Sequence, residues 1–145
     1  MNTKIRTMRK EDKPAVMEMM EVFYSSPAVS TNGSKEIFEN DIENCVNDSP
    51  YLEGFVFEHE REIQGYGMIA KSFSTEFGKP CVWIEDLYVK PAYRGGGIGS
   101  AFFEYLSANY PDCLFRLEVE GDNTPAIHVY KKNGFTTLPY MEMKK

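Results

Sequence analysis

Four glycines fall within the five positions from Gly95 to Gly99, between a run of β-branched and aromatic residues ending at Val89 and a helical stripe of Ile98, Ala101, Phe102, Tyr105 and Leu106. A chain that enters such a turn as a strand and leaves it as a helix belongs to a mixed α/β layout, with helices packed on a central sheet. Glycine lets backbone amides approach a ligand closely, and the first turn of a helix leaves N–H donors unpaired at its positive dipole end. The segment from Arg94 to Ser100 is therefore a candidate cradle for a diphosphate, with Arg94 placed to add a charge-assisted contact. The plainer alternative is a flexible surface turn before an ordinary helix.

The rest of the chain supports that layout. A short strand is expected over 4–8, then a helix with Val16, Met19, Met20 and Phe23 on one face. A loop is expected from Phe23 to Asn32, a second helix over 34–46, and a hairpin of strands 51–58 and 63–72. A strand over 81–89, the helix over 97–108 and a strand over 114–119 follow. Asn123 and Pro125 suit the start of a last helix, Gly134 its end, and one or two terminal strands broken at Pro139 are expected over 135–144. We expect a single domain over residues 1–145, with helices packed against a central sheet.

Composition narrows the function classes. A formal net charge of −6 argues against nucleic-acid or anionic-membrane binding, both of which need a clustered positive surface. No apolar run spans a bilayer, and the first ten residues carry no apolar stretch after their charges, so a cytoplasmic, unprocessed protein is expected. Cys45, Cys81 and Cys113 lack CxxC spacing, and only His59 and His128 are available as imidazole ligands, so no metal site is expected. A Walker loop would need Lys, and a dinucleotide fingerprint Gly, where Ser100 stands.

Arg94-x-x-Gly97-x-Gly99, followed by Asn123-x-x-Ala126-x-x-x-Tyr130-x-x-x-Gly134-Phe135, resembles the paired motifs of the GNAT superfamily of N-acetyltransferases. Locally, Ile84 to Val89 followed by Tyr93-Arg94-Gly95 is similar to diamine acetyltransferases. The resemblance implies the acyl-CoA N-acyltransferase fold, with a mostly antiparallel central sheet flanked by helices, and acetyl-CoA as donor. It implies that the diphosphate is held on Arg94, Gly95, Gly96, Gly97, Ile98, Gly99 and Ser100. It also implies that the strand at Leu87, Tyr88 and Val89 splays from its neighbour and binds the pantetheine arm, with Asn123 and Tyr130 touching the cofactor. Homodimers are plausible on the same ground.

The expected chemistry moves an acetyl group to a primary amine by direct attack in a ternary complex. Glu85 is the candidate base; a carboxylate of ordinary pKa about 4.3 is a poor match for an ammonium near 10, which favours relay through water or a pKa raised by burial. Asp86 points to the opposite face of a regular strand, unless a bulge intervenes, and is a candidate for holding a cationic amine. Tyr130 is the candidate acid for the leaving thiolate. Tyr24, in the aromatic pair Phe23-Tyr24, is either part of the substrate wall or core packing. Salt bridging or solvation for the two acids, a satisfied buried hydroxyl for Tyr130 and simple helix capping for Asn123 are the structural alternatives. The acceptor is expected to be a small-molecule amine, and a non-catalytic acyl-CoA sensor is the competing function.

Overall fold

The computed structural model describes residues 2–30 and 33–145. The chain forms β1 (Lys4–Thr7), α1 (Lys13–Tyr24), α2 (Lys35–Val46), β2 (Leu52–His59), β3 (Glu62–Ser74), β4 (Lys79–Val89), α3 (Ile98–Asn109), β5 (Leu114–Leu117) and α4 (Thr124–Lys132). Short 3-10 turns precede α1 and follow β4. The strands lie in the order β1-β2-β3-β4-β5. All pairs are antiparallel except β4 with β5, which run parallel across the crossover made by α3.

Helices α2 and α4 begin where a side-chain oxygen satisfies one of the orphan donors of the first turn. Ser34 caps α2 by accepting from the Ile37 amide, and Asn123 caps α4 by accepting from the Ala126 amide at 3.4 Å. The apolar stripe Val16, Met19 and Met20 of α1 and the pair Phe38 and Ile42 of α2 bury against Val56, Tyr66, Met68 and Tyr88 on one sheet face. The other face, with Phe55, Phe57, Ile69, Val82 and Ile84, buries Phe102 and Leu106 of α3, and α4 joins at its margin through Val129 and Tyr130. Three layers result, and the sheet is apolar on both faces as that arrangement demands.

Three expectations fail. Helix α1 continues through Tyr24, inside the loop expected from Phe23 onward, because both aromatic rings pack on the α1 side of the core. The remainder of that loop is described only to Ser30, and Thr31 and Asn32 lie outside the described residues. Strand β5 stops at Leu117 rather than Val119. The terminal strands do not form among the described residues. Residues 136–145 are exposed, so no apolar face offsets the cost of ordering them as strands, and Pro139 has no N–H to give to a ladder. The Tyr140 hydroxyl of this tail donates a hydrogen bond to Glu76 in the β3–β4 turn.

Candidate functional site

β5 pairs with β4 only from Cys81 to Ile84. From Asp86 to Val89, β4 keeps its β3 partners and, among the described residues, has none on the β5 side, so the sheet opens there. The free edge leads, through Pro91–Tyr93, into the glycine turn. Gly95 and Gly97 take left-handed backbone angles, φ 81° and 85°, which only glycine adopts at little cost. A Cβ on Gly95 would touch nothing within 4 Å, so the requirement there is conformational and not one of space. The first hydrogen bond into α3 runs from the Ala101 amide to the Gly97 carbonyl, leaving the amides of Ile98, Gly99 and Ser100 ahead of it as the unpaired first turn. The opened strand and the donor-rich helix start are thus consecutive in the chain and continuous in space.

Side chains around the turn are partly engaged. Arg94 donates from Nε to the Val89 carbonyl at 2.8 Å and lies 5.5 Å from the Tyr88 ring centroid, while remaining exposed. Ser100 accepts from Asn133 Nδ2 at 3.0 Å, tying the end of α4 to the start of α3. Ile98 and Tyr88 bury their side chains, so at these two positions the backbone is what a ligand can reach. Leu87 and Val89 point to the α3 side and are partly buried.

The acids sit at an irregularity in β4. Ile69 pairs with Ile84, yet Met68 pairs with Asp86, so Glu85 is the extra residue of a β-bulge. Asp86 turns into the α1 side, only 3% exposed, where Tyr24 donates to Oδ1 at 2.7 Å and Tyr66 to Oδ2 at 2.6 Å. Burial pushes its carboxyl above the usual range, against the two phenols, which favour the charged form. Glu85 stays accessible; partial burial, then the neighbouring charges of Asp86, Glu142 and Asp41, raise it as well. Both phenols are pushed up, first by burial and then by Asp86.

Two members of this group were not singled out from the sequence. Asp41 lies on the sheet-facing stripe of α2, between Phe38 and Cys45, and burial followed by the charge of Asp86 raises it to about 6. Its position was legible as a carboxylate at i+3 in an otherwise apolar stripe. Tyr66 shares the buried phase of β3 with Met68 and looks in sequence like ordinary core.

Tyr130 lies on α4 against the rings of Phe103 and Phe135, with centroids 5.9 and 6.1 Å away. Burial raises its phenol, keeping it protonated at neutral pH. No buried side-chain oxygen or nitrogen lacks a partner among the described residues, and the Tyr130 hydroxyl has no protein partner there, so it opens to solvent. His128 is on the exposed side of the same helix. Among the described residues, no group of three or more His, Cys, Asp or Glu could hold a metal ion, and no helix is long and apolar enough to cross a membrane.

The profile of the acetyltransferase (GNAT) family matches residues 14–135. A thialysine N-epsilon-acetyltransferase of Sus scrofa is 38% identical over 81 residues, which is 54% of this chain and 47% of that protein. The chain therefore spans about half the length of the curated relatives of that kind which it matches. A Bacillus subtilis (strain 168) protein provisionally named a ribosomal protein bS18 alanine N-acetyltransferase is 30% identical over 133 residues, 90% of this chain and 78% of that protein. Among solved structures, AAC(6')-Iy in complex with a bisubstrate analogue, CoA-S-monomethyl-acetylneamine, has a TM-score of 0.80 at 15% identity, covering 100% of this chain and 98% of that one. That likeness extends over every element of the sheet and its four helices.

Proposed function

Since the chain belongs to the acetyltransferase (GNAT) family, we propose that it transfers an acetyl group from acetyl-CoA to a primary amine within a ternary complex. One observation carries the reading. The unpaired edge of β4 at 85–89 runs directly into a turn whose left-handed glycines and unpaired helix amides suit a diphosphate. Those two features fit the two halves of coenzyme A. The extended, amide-bearing pantetheine arm can add to the free strand edge as an extra strand, and the diphosphate to the helix start. Full-length likeness to a structure solved with a CoA-containing analogue supports the same donor.

The donor brings an activated thioester carbonyl, and the chain's residues do the rest. The amides of Gly97, Ile98, Gly99 and Ser100 hold the diphosphate, and Gly95 and Gly96 let the backbone reach it. Arg94, whose Nε is already committed to Val89, offers its Nη groups as a charged supplement. The backbone of Leu87, Tyr88 and Val89 orients the arm, and a free N–H on that edge polarises a carbonyl set against it. Glu85, accessible at the bulge and raised by partial burial, takes the proton of the incoming ammonium, directly or through one water. Tyr130, protonated and open to solvent, returns a proton to the sulfur as it leaves. Asn123 positions α4 by capping it. Glu142 and Asp41 add negative potential near Glu85, and among the described residues no cation acts on that carboxylate, so a cationic acceptor is favoured.

The names of the relatives point to two kinds of acceptor, a free amino acid side chain and a protein N-terminus. We favour a small-molecule amine, given the acidic surroundings of Glu85. The test is thiol release from acetyl-CoA with a panel of diamines, amino acids and N-terminal peptides, with acetylated products identified by mass. Turnover with one class identifies the acceptor. Tight acetyl-CoA binding with no release for any amine would instead mean a non-catalytic sensor.

A further inference from the structure

Both carboxylate oxygens of Asp86 already hold a phenol donor, and the residue is nearly sealed from solvent. We propose that Tyr24, Asp86 and Tyr66 form a register lock for β4: the two hydroxyls hold Asp86 on the α1 side, which forces the bulge to close at Glu85 and presents that carboxylate at the open strand edge. Asp86 is on this account a positioning residue. The role rests on the acetyl transfer proposed above, because it acts through Glu85 and the edge behind it.

The argument follows from the phase of the strand. Val82 and Ile84 point to the α3 side. In an unbulged strand Asp86 would follow them onto that face, with Gly67 as its cross-strand partner. There, even a methyl on Gly67 would meet the Phe102 ring at 2.7 Å. A carboxylate entering that aromatic face would find no donor and would stay desolvated. The extra residue at Glu85 reverses the alternation, so Leu87 and Val89 join the α3 side while Asp86 and Tyr88 turn to the α1 side. One donor comes from the last residue of α1 and the other from β3, two positions before Met68, the partner of Asp86. The three side chains therefore clamp a helix, an inner strand and the bulge at one point.

No hydrophobic pattern rewards the bulge locally, since either phase offers an apolar residue to each face at positions 87 and 88. The polar pairing is what separates the two registers. Asp86 acts on Asp41 of α2 and on Glu85 of β4 as a like charge, and neither of them donates a hydrogen bond to it. The two tyrosines alone favour the ionised carboxylate at this position.

The test combines a register measurement with kinetics in four proteins: wild type, Asp86→Asn, Asp86→Leu and the double variant Tyr24→Phe with Tyr66→Phe. Cross-strand NMR contacts between Met68 and residue 86 report the bulged phase without amine or cofactor. Asn retains an acceptor for one hydroxyl and a donor for the other, so Asp86→Asn should keep the Met68–86 contacts and turn over within about tenfold of wild type. The double phenylalanine variant should lose those contacts and about 10²-fold in turnover at saturating substrates, the scale expected for a misplaced reacting group. Asp86→Leu should behave the same way, and the double variant stands in for it if it does not fold. Intact contacts with normal turnover in the double variant would overturn the lock. Intact contacts in Asp86→Asn with turnover reduced about 10²-fold would also overturn it, by showing that the charge of Asp86 itself is used. An inactive wild-type protein would defeat the acetyl-transfer reading while leaving the register measurement to decide this one.

Discussion

Gly95→Ala separates conformational need from stability better than any other change in the glycine turn. Gly95 has φ 81° with open space around its missing Cβ, so the substitution introduces backbone strain and no clash. An alanine in the left-handed region costs about 1–2 kcal/mol. The turn from Arg94 to Gly97 is exposed, so in the free protein it can relax and the strain is deferred until ligand binds. Coenzyme A must then restore the left-handed turn, and its Kd should rise by about 5- to 30-fold, since 1.4 kcal/mol is tenfold. Gly78→Ala is the matched control, with φ 66° and equally open space, but in the β3–β4 turn, where its amide donates to the Ser74 carbonyl at 2.7 Å. Clamped by the hairpin, that turn cannot relax, so Gly78→Ala should lower Tm by about 2–8 °C and leave the Kd unchanged. Calorimetric titration with coenzyme A and thermal melts of both variants supply the comparison. A Kd for Gly95→Ala within about twofold of wild type, below the roughly 0.4 kcal/mol that such a ratio represents, would refute the claim that the turn's shape is required by the ligand.

Other changes address the proton carriers and the acid cluster. Tyr130→Phe should leave coenzyme A affinity near normal and lower turnover by about 10²–10⁴-fold; unchanged turnover in a chemistry-limited assay removes Tyr130 from the reaction. A base must be ionised to accept a proton, so activity should fall as pH drops through the raised pKa of Glu85, and Glu85→Gln should abolish that acid limb in a pH–rate profile. Asp41 is raised to about 6 in the folded chain, above its unfolded value, so its contribution to stability is full below about pH 4 and is lost as pH rises through 6. Asp41→Asn should therefore flatten the pH dependence of Tm between about pH 4 and 7 and stabilise the protein at pH 7.5 by on the order of 1 kcal/mol, discounted for solvent screening.

Much of this architecture is visible in the sequence because it is periodic. The stripe of Val16, Met19 and Met20 and the hairpin around His59 to Glu62 repeat at 3.6 and 2 residues, and the tertiary structure keeps them. The glycine turn is legible for a different reason: left-handed angles at Gly95 and Gly97 leave few other residues suitable. What was not legible is set by long-range contacts. The bulge changes which face Asp86 takes, and its cause lies in hydroxyls 62 and 20 positions away in the chain, on Tyr24 and Tyr66. Adjacent Glu85 and Asp86 in an apolar strand were the only local sign of it. The extension of α1 through Tyr24 has the same origin, since that side chain reaches Asp86. At the C-terminus, β-prone residues such as Phe135 and Tyr140 suggest strands, but propensity without a paired neighbour or a buried face does not make one.

A crystal structure with coenzyme A bound tests the central claim most directly. The diphosphate should lie at about 2.7–3.2 Å from the amides between Gly97 and Ser100, with the pantetheine arm along Leu87 to Val89 and its sulfur between Glu85 and Tyr130. A diphosphate bound away from the α3 start, or a sulfur that leaves Glu85 and Tyr130 on opposite sides of the protein, would contradict it.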